Sequence, residues 1–201
     1  LGEQYKDWWY GNDVKLYQFM GKDNIPFHSI IFPATILASG ENVNKVYHLN
    51  ATEYLNYEHT QFSKSRGVGV FGDNAKESGI PADVFRYVLL YNRPEGSDTQ
   101  FTWKGLQERL NNELVANLGN LVNRTITFVN RFFDGEVVEV TTENDRINEF
   151  NKGVKKYLDL LEKVEIRDAL LQFMHISSVA NAYFQESAPW KTKNEDPQKA
   201  K

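Results

Sequence analysis

The sequence predicts an α/β segment followed by an all-α segment. Residues 14–20 alternate apolar and polar side chains, as a half-buried strand does, and residues 27–37 carry apolar side chains at helical spacing. A second strand candidate at residues 45–49 completes the order strand, helix, strand, which is typical of a parallel sheet. Across residues 102–190 apolar side chains recur every three or four positions, which predicts a helical bundle.

The composition excludes several classes of protein. The 201 residues include 23 Lys+Arg and 27 Asp+Glu, for a formal net charge of -4, and this acidic balance alone argues against a dedicated nucleic-acid binder. Because there are 0 cysteines, the chain has neither a disulfide framework nor a thiolate zinc site. No apolar run approaches the ~18–20 residues of a membrane span and no signal pattern opens the chain, so we expect a cytoplasmic protein without membrane contact.

The α/β segment is predicted to span residues 1–72. Residues 21–23, Gly-Lys-Asp, end its first strand, and Pro26 suits the first turn of the helix that follows. Residues 52–55 and 61–63 flank a short polar turn and are expected to pair as a hairpin. A complete doubly wound domain needs more strands than this segment holds, so we expect half of such a domain.

Residues 73–101 are predicted to form a connector with small helices of its own. The helix at residues 84–91 is expected to place Phe85, Val88 and Leu89 on one inward face.

The helical bundle is predicted to span residues 102–190. Thr102 suits the N-cap of its first helix, and Asp134-Gly135 suits the end of that helix. Two more helices are expected, and Ala188-Pro189-Trp190 ends the last of them. The residues expected to face the core are Leu106, Leu110, Leu114, Leu118, Leu121, Thr125, Val129, Phe132, Ile147, Phe150, Val154, Leu158, Leu161, Ile166, Leu170, Phe173, Ser177, Ala180 and Phe184. Residues 191–201 lack apolar anchors and are expected to be disordered.

Residues 61–72 (QFSKSRGVGVFG) combine hydroxyls, cations and glycines in one loop after a strand. Glycine-rich backbone can approach a phosphate closely, Lys64 supplies a mobile point charge, and Ser63 and Ser65 supply hydroxyl donors. A solvated surface loop accounts for the same composition, and the Gly-Lys-Ser/Thr order of a Walker loop is absent.

The end of the first strand is a second candidate ligand site, since open α/β sheets bind ligands where their strands end. Asp23 can accept hydrogen bonds from ribose hydroxyls, although, taken alone, it suits a helix-capping role better. His28 and Phe32 lie four residues apart on the next helix, beside the same crevice, where a packing role is the alternative. The 4 histidines show no metal-ligand spacing, so no metal site is predicted.

Asn117, Asn120 and Arg124 are predicted to form a polar row on the exposed face opposite the leucine stripe. Amides and a guanidinium can read the edges of unstacked bases, and Trp190 can stack on one. A solvated polar face is the alternative interpretation of this spacing.

Taken in order, these features resemble the C-terminal half of the methionyl-tRNA synthetase family of class I aminoacyl-tRNA synthetases, in the cytosolic branch of eukaryotes and archaea. The resemblance runs from about Trp8 to Trp190. The stretches that carry it are residues 20–29, 62–67, 80–83, 86–87, 117–124 and 186–190.

The resemblance implies the second half of a Rossmann-type nucleotide-binding domain, a small stem-contact connector and an anticodon-binding helical bundle. It also implies the family's reaction, in which methionine and ATP, the latter with Mg²⁺, form methionyl-adenylate that then esterifies tRNA(Met). Any zinc would belong to the N-terminal part of the family's fold. The family's contacts map onto this sequence as follows: Lys64 for catalysis; Gly21, Asp23, Ser63, Lys64 and Ser65 for ATP; Asn24, His28 and Phe32 for methionine; and Asn117, Asn120, Arg124, Pro189 and Trp190 for the anticodon.

The sequence departs from the family pattern at three places. Gln61 and Phe62 replace the first lysine and the methionine of the Lys-Met-Ser-Lys-Ser signature, and Ala116 stands where some members carry an anticodon-reading asparagine. The His-Ile-Gly-His motif is absent. We therefore expect a part of a longer enzyme that is inactive alone, unless its N-terminal half is supplied as a separate chain. The alternatives are a non-catalytic tRNA-binding module and another class I synthetase.

Overall fold

The computed structural model describes residues 2–137, 145–195 and 200. The chain divides into two compact units, an α/β unit of residues 1–69 with 93–100 and a helical unit of residues 70–92 with 101–201. The expected connector, residues 73–101, therefore forms no unit of its own. Its helices pack with the bundle through their apolar face, whereas its last residues are hydrogen-bonded to the α/β unit.

The α/β unit is built on a parallel strand–helix–strand motif. Its elements are a 3-10 turn (Gly2–Gln4), α1 (Tyr5–Trp9), β1 (Leu16–Gly21), a second 3-10 turn (Lys22–Asn24), a π-helix (Phe27–Ile31), α2 (Phe32–Ser39), β2 (Val46–Thr52), β3 (Leu55–Tyr57), β4 (Thr60–Gln61) and β5 (Thr99–Phe101), of which β5 ends in the helical unit. Strands β1 and β2 pair in parallel, with Gly21 opposite Thr52. The predicted strand–helix–strand order is confirmed.

Strands β3 and β4 form the predicted hairpin with shorter strands than expected. The opposed residues are Asn56 with Gln61 and Tyr57 with Thr60. Glu58 and His59 form the turn with left-handed φ angles of 43° and 72°, which suits a two-residue hairpin because both central residues then follow the strand twist. Thr52 belongs to β2 instead, since it pairs with Gly21.

The parallel strand pair leaves much apolar surface uncovered within its own unit. Phe19 is 54% exposed and Ile30 is 65% exposed. Among the described residues of this unit, 2–69 and 93–100, Ile36 and Pro94 alone are buried. A sheet of this type is normally covered on both faces by helices, so this unit has the burial pattern of half a domain.

The helical unit holds the bundle. Its helices are α3 (Gly72–Glu77), α4 (Ala82–Tyr91), α5 (Trp103–Arg109), a π-helix (Leu110–Gly119), α6 (Asn120–Phe133), α7 (Asp145–Glu162), α8 (Ile166–Ser187) and α9 (Pro189–Glu195). The α5, π and α6 segments run on as one helix. Thr102 caps it by accepting a 2.9 Å hydrogen bond from the Gly105 amide, and Asp134 and Gly135 end it with left-handed φ angles of 51° and 79°. Both predicted ends are confirmed.

The buried core of the helical unit differs in part from the predicted stripes. On α4, Leu89 is 43% exposed, and Tyr87 is buried beside Val88 instead. On α8, Phe173 is partly exposed whereas Met174 is buried. A repeat of three or four residues locates an apolar stripe, but the neighbouring helices decide which edge of that stripe is covered. The buried hydrophobic residues of this unit are Val84, Tyr87, Val88, Phe101, Leu106, Phe128, Ala169, Met174 and Ile176.

Helix α7 is rotated relative to the prediction. Leu158 is 53% exposed, and Phe150 and Leu161 are also exposed. Gly153 faces α8 instead, where a Cβ atom would lie 3.1 Å from Ile176. The small glycine allows α7 to approach α8 closely on that side, so the exposed leucines lie outside the contact.

The chain turns where it was predicted to turn, but it remains ordered beyond that point. Ala188 has a left-handed φ of 40° and separates α8 from α9. Residues 191–195 were expected to be disordered and are helical instead, because the Lys193 ammonium lies 3.2 Å from the centre of the Phe132 ring and anchors α9. Residues 196–199 and 201 lie outside the described part.

Candidate nucleotide and RNA sites

The carboxyl end of β1 presents an open backbone and an oriented carboxylate. Gly21 ends the strand, and a Cβ atom built there would meet nothing within 4 Å, so a ligand can approach this backbone. Asp23 follows in the 3-10 turn and accepts a hydrogen bond from the Tyr54 hydroxyl. That bond raises the pKa of Tyr54 because it favours the protonated phenol.

Lys22, between these two residues, is held by other side chains. Its ammonium pairs with Glu53, lies 3.6 Å from Asp98, and sits 4.3 Å from the centre of the Tyr54 ring. The hydrogen bond to Glu53 raises the pKa of Lys22, so the cation is retained. Asp98 also accepts the backbone amide of Tyr54 at 3.0 Å. This network fixes Tyr54 and, through it, the carboxylate of Asp23.

The predicted amino-acid pocket contains one hydrogen-bonded histidine and one packed aromatic ring. His28 Nδ1 lies 2.9 Å from Gln18 Oε1, a partner that places the imidazole beside β1. The Phe32 ring packs 6.4 Å from that of Trp9. Asn24 is exposed. Gln18 and Trp9 were not predicted as site residues, although the alternation in β1 places Gln18 on one face of the strand.

Residues 63–68 form a closed loop. Ser63 and Val68 exchange two backbone hydrogen bonds, of 2.8 and 2.9 Å, and Gly67 completes the turn with a left-handed φ of 64°. At the tip, the side chain of Lys64 is exposed and forms no ion pair among the described residues. The Ser63 and Ser65 hydroxyls lie 3.4 Å apart. Arg66, in the same loop, is also exposed and outside these ion pairs, so the loop offers two cations and two hydroxyls on a closed turn.

The substitution in the signature loop has a structural explanation. Phe62, which stands at the position of the signature methionine, packs its ring 5.4 Å from that of Tyr57. This contact ties the loop to strand β3 and holds its base in place.

The helical unit brings a cation and two aromatic rings together. The Arg124 guanidinium lies 4.8 Å from the centre of the Phe184 ring and 5.6 Å from that of Trp190. Its Nη2 donates a 3.0 Å hydrogen bond to Gln185 Oε1. The rings of Phe184 and Trp190 are 5.8 Å apart. We call Arg124, Phe184 and Trp190 the cation–aromatic cluster.

Asn120 and Pro189 lie on the helices that form this cluster. Asn120 is exposed at the start of α6, one turn before Arg124. Pro189 is buried at the start of α9 and sets the direction from which Trp190 approaches. Phe184 was predicted to face the core, and Gln185 was not identified from the sequence. Gln185 directly follows Phe184 on the helix that precedes Trp190, and this position was the available signal.

The predicted exposed face is wrong for Asn117. Its side chain lies between the π-helix and α8, where its amide nitrogen donates to the Met174 carbonyl and to Ser178, at 3.1 and 3.0 Å. Arg124 also contacts α8, through Phe184 and Gln185. Of the predicted row, Asn120 is exposed whereas Asn117 and Arg124 are not, because α8 packs against the side of the helix that carries them.

The described residues hold neither a membrane-spanning helix nor a metal-binding cluster. No helix within residues 2–137 and 145–195 is long and apolar enough to cross a bilayer. Over the same residues, no group of three or more His, Asp or Glu side chains is placed to hold a metal ion.

A parallel strand–helix–strand half-sheet, a Ser-Lys-Ser loop and a following helical bundle are the arrangement expected in part of a class I aminoacyl-tRNA synthetase. Residues 1–126 match the family model of class I tRNA synthetases (M), and residues 135–201 match that of the anticodon binding domain of methionyl tRNA ligase. The chain belongs to the methionyl-tRNA synthetase family, and the resemblance found in its sequence is confirmed.

Relatives of this chain occur in bacteria and in animals. A methionine–tRNA ligase of Treponema denticola is 50% identical over 211 residues, which cover 99% of this chain and 27% of the relative. The cytoplasmic methionine–tRNA ligase of Bos taurus is 51% identical over 193 residues, which cover 94% of this chain and 22% of the relative. The chain thus spans about a quarter of the length of the relatives it matches.

Solved structures share the fold. Methionyl-tRNA synthetase of Mycobacterium tuberculosis bound by methionyl-adenylate superimposes with a TM-score of 0.77, covering 96% of this chain and 38% of that one, at 21% identity. The apo form of the same protein gives 0.72 at 22% identity, over 90% of this chain and 35% of that one. The predicted fold class is confirmed.

Proposed function

We propose that this chain supplies the signature-loop half of the catalytic site and the anticodon-binding bundle of a methionine–tRNA ligase. The observation that carries the proposal is the cation–aromatic cluster of Arg124, Phe184 and Trp190. It stands in a chain whose relatives, at about half identity, are methionine–tRNA ligases. The proposed partners are tRNA(Met), methionine and ATP, with the Mg²⁺ that accompanies ATP as substrate.

In the catalytic half, Lys64 is the residue proposed to act on the reacting atoms. Adenylate formation attaches the methionine carboxylate to the α-phosphate of ATP and releases pyrophosphate, where negative charge builds up. The unpaired ammonium of Lys64 is free to stabilise that charge, and the hydroxyls of Ser63 and Ser65 can donate to phosphate oxygens. Gly21 and Asp23 are proposed to hold the ribose, because open backbone and an oriented carboxylate suit its hydroxyls.

Methionine is proposed to lie against the face formed by Asn24, His28 and Phe32. An aromatic ring and an imidazole provide the soft surface on which a flexible thioether packs well. The hydrogen bond from His28 to Gln18 fixes the ring in one orientation. A pocket wall held in one orientation favours an amino-acid substrate whose side chain has the matching shape.

In the helical unit, Asn120, Arg124 and Trp190 are proposed to bind the anticodon, with Pro189 directing Trp190. Unstacked bases in an RNA loop pack on aromatic rings and on guanidinium planes, and amides read their edges. The cluster supplies the aromatic rings and the guanidinium, and Asn120, one turn before Arg124 on α6, supplies an amide.

The second candidate function is a tRNA-binding module without catalysis. The uncovered faces of the β1–β2 pair favour it for the chain in isolation, because half of the expected sheet is not contributed by this chain. Both candidate functions include RNA binding, but only the first includes catalysis. For either one we propose a cytoplasmic location, as the names of the animal relatives state for those proteins.

Methionine-dependent ATP–pyrophosphate exchange separates the two functions. We expect no exchange with the 201-residue chain alone and exchange once a chain carrying the N-terminal half is added. Exchange by the chain alone would overturn the expectation of inactivity. No exchange with the added half, while the RNA still binds, would leave the binding module as the function.

Binding of the anticodon is tested directly with a fluorescent stem-loop RNA that carries the tRNA(Met) anticodon. Fluorescence anisotropy is expected to show at least about ten-fold tighter binding than to the same stem-loop with a changed anticodon, since each misread base typically costs one good contact. Equal affinity for the two RNAs would contradict the proposed anticodon site.

A further inference from the structure

The side chain of Asn117 uses its whole hydrogen-bonding capacity inside the protein. Its amide nitrogen donates to Met174 O and Ser178 Oγ, at 3.1 and 3.0 Å. Its Oδ1 accepts from Ser177 Oγ and Asn181 Nδ2, each at 3.0 Å. A primary amide has two donors and an acceptor with two lone pairs, so all four are occupied and none remains for a nucleotide base.

All of these partners lie on one helix, α8. They are spread over two turns, from Met174 to Asn181. Asn181 also donates to the main-chain carbonyl of Asn117 at 2.9 Å, and Ser177 is buried. Asn117 is therefore held through both its side chain and its backbone, at the point where the π-helix faces α8.

This network sets the register between the two helices. Apart from the hydrogen bond from Arg124 to Gln185, which belongs to the cluster itself, this interface includes ring contacts such as that of Phe128 with Phe184. Apolar contacts of this kind are non-directional and would allow one helix to slide or rotate by a fraction of a turn. Hydrogen bonds are directional and weaken steeply with misalignment. A single buried asparagine can fix the register of two packed helices in this way.

The register matters because the cation–aromatic cluster is assembled from both helices. Arg124 lies two turns after Asn117 on the same face, whereas Phe184 and Gln185 lie one turn after Asn181 on α8. The turn at Ala188 then places Trp190 beside them. A shift between the helices would separate the guanidinium from its rings.

The π-helical geometry adds to this requirement. Gly119 follows Asn117, and a Cβ atom built on it would lie 2.8 Å from the Leu114 carbonyl oxygen. The wide turn thus depends on a glycine at its end. Asn120, the first residue of α6, follows this glycine directly.

We infer that Asn117 is a positioning residue that sets the register of the anticodon-reading helix against α8 and does not itself contact the RNA. The inference rests on the proposed function, since it assigns Asn117 a role through Arg124. It replaces the direct anticodon contact that the resemblance implies for this residue.

The test is a double-mutant cycle between Asn117→Ala and Arg124→Ala, with the 201-residue chain and the fluorescent anticodon stem-loop RNA. Asn117→Ala is expected to weaken binding about ten-fold in the wild-type background and less than about two-fold in the Arg124→Ala background. A residue that acts through Arg124 has nothing left to act on once Arg124 is gone. An equal loss in both backgrounds, or no loss in either, overturns the inference.

A milder variant covers the case in which Asn117→Ala does not fold. Ser177→Ala removes one donor to Asn117 Oδ1 and is expected to weaken RNA binding about three-fold, again only while Arg124 is present. Retained affinity in Ser177→Ala, or a loss that persists without Arg124, overturns the inference.

The matched control is Gln172→Ala. Gln172 is a buried polar side chain of the same helix α8, but it faces Gly153 on α7. Gln172→Ala is expected to lower the melting temperature of the chain. At temperatures below that point, its RNA affinity is expected to equal that of the wild type. If Gln172→Ala weakens RNA binding as much as Asn117→Ala, the effect is general destabilisation and the inference fails. If Arg124→Ala alone leaves binding unchanged, the proposed anticodon site itself fails, which is a different result.

Discussion

The guanidinium of Arg124 lies 5.6 Å from the centre of the Trp190 ring, although the two residues belong to different helices joined through α7 and α8. The ring of Phe184 lies against both. An unstacked base can enter this arrangement, stack on one of the two aromatic rings and contact the edge of the guanidinium. This arrangement makes the helical unit the more readily tested half of the chain.

Replacing Trp190 with alanine is expected to weaken binding of the anticodon stem-loop RNA. Loss of one base-stacking platform typically costs about 1–3 kcal/mol, or roughly five- to 150-fold in affinity. Anisotropy titration measures the loss. Trp8→Ala is the control, because Trp8 is 63% exposed and lies in the α/β unit. A similar loss in both variants would show that tryptophan content, and not this site, matters.

Replacing Arg124 with lysine is expected to lose most of the RNA affinity that alanine loses. Lysine keeps the charge but cannot present a planar group to Phe184 and Trp190 while bonding to Gln185. Arg131→Ala is the control, since Arg131 is an exposed arginine beside Phe132 in the same helix. Full affinity in Arg124→Lys would mean that Arg124 acts as a simple point charge.

The Tyr87 hydroxyl is expected to make stability fall at high pH. Burial raises the pKa of Tyr87 well above its ordinary 10.0, and no described group bonds to its hydroxyl. Above pH 10.0 the unfolded chain loses a proton that the folded chain keeps, so the free energy of unfolding decreases as pH rises. Tyr87→Phe removes this decrease in stability, because phenylalanine has no hydroxyl to titrate.

Tyr87→Phe is therefore expected to match or exceed wild-type stability below pH 10, by up to about 1 kcal/mol, because it removes an unpartnered buried polar group. Its advantage is expected to widen above that pH. Urea unfolding across the pH range measures both effects. Tyr183→Phe serves as the control, since Tyr183 is exposed. A parallel pH response of wild type and Tyr87→Phe would contradict the assignment.

Replacing Thr102 with alanine is expected to destabilise the helical unit by about 1 kcal/mol, the typical cost of a lost N-cap. The Thr102 hydroxyl accepts from the Gly105 amide at the start of the helix that carries Arg124. Thermal unfolding followed by circular dichroism measures the change. Thr127→Ala, at an exposed position inside α6, is expected to be neutral or slightly stabilising, because alanine favours the helix.

Replacing Lys64 with alanine in a protein that also carries the N-terminal half is expected to slow adenylate formation by about 10²-fold or more, the typical cost of losing a charge-stabilising group. Methionine binding is expected to change little, because the lysine acts on charge that develops during the reaction. Pyrophosphate exchange and methionine titration measure the two. Lys76→Ala, on α3, is the control. Equal losses in rate and binding would indicate a structural role for Lys64.

Local features were predictable because they depend on a few neighbouring residues. The strand–helix–strand order, the cap at Thr102 and the helix end at Asp134-Gly135 all follow from short-range patterns, and the structure confirms them. The division of the connector was not predictable. It depends on which unit each of its parts packs against.

The individual residues of the candidate sites were predictable from the sequence. Their contacts with one another were less predictable. Residue patterns and the family resemblance supplied Lys64, Asp23 and Arg124, but neither could supply their neighbours in this fold. Tyr54 beside Asp23 and Phe184 beside Arg124 became visible only in three dimensions. Their partners are far apart in the sequence, and spacing carries no information about such pairs.

The sequence by itself determined the family, the order of the elements and the composition of the signature loop, because each is written in consecutive residues. Tertiary structure decided which side of each apolar helix is covered, and therefore that Leu158 is exposed and that the Asn117 side chain is hydrogen-bonded to α8. Periodicity describes one helix alone, whereas burial is a property of two surfaces that meet. The difference matters most for Asn117, whose polar side chain suggests a solvent contact and whose contacts with α8 occupy every hydrogen-bonding group it has.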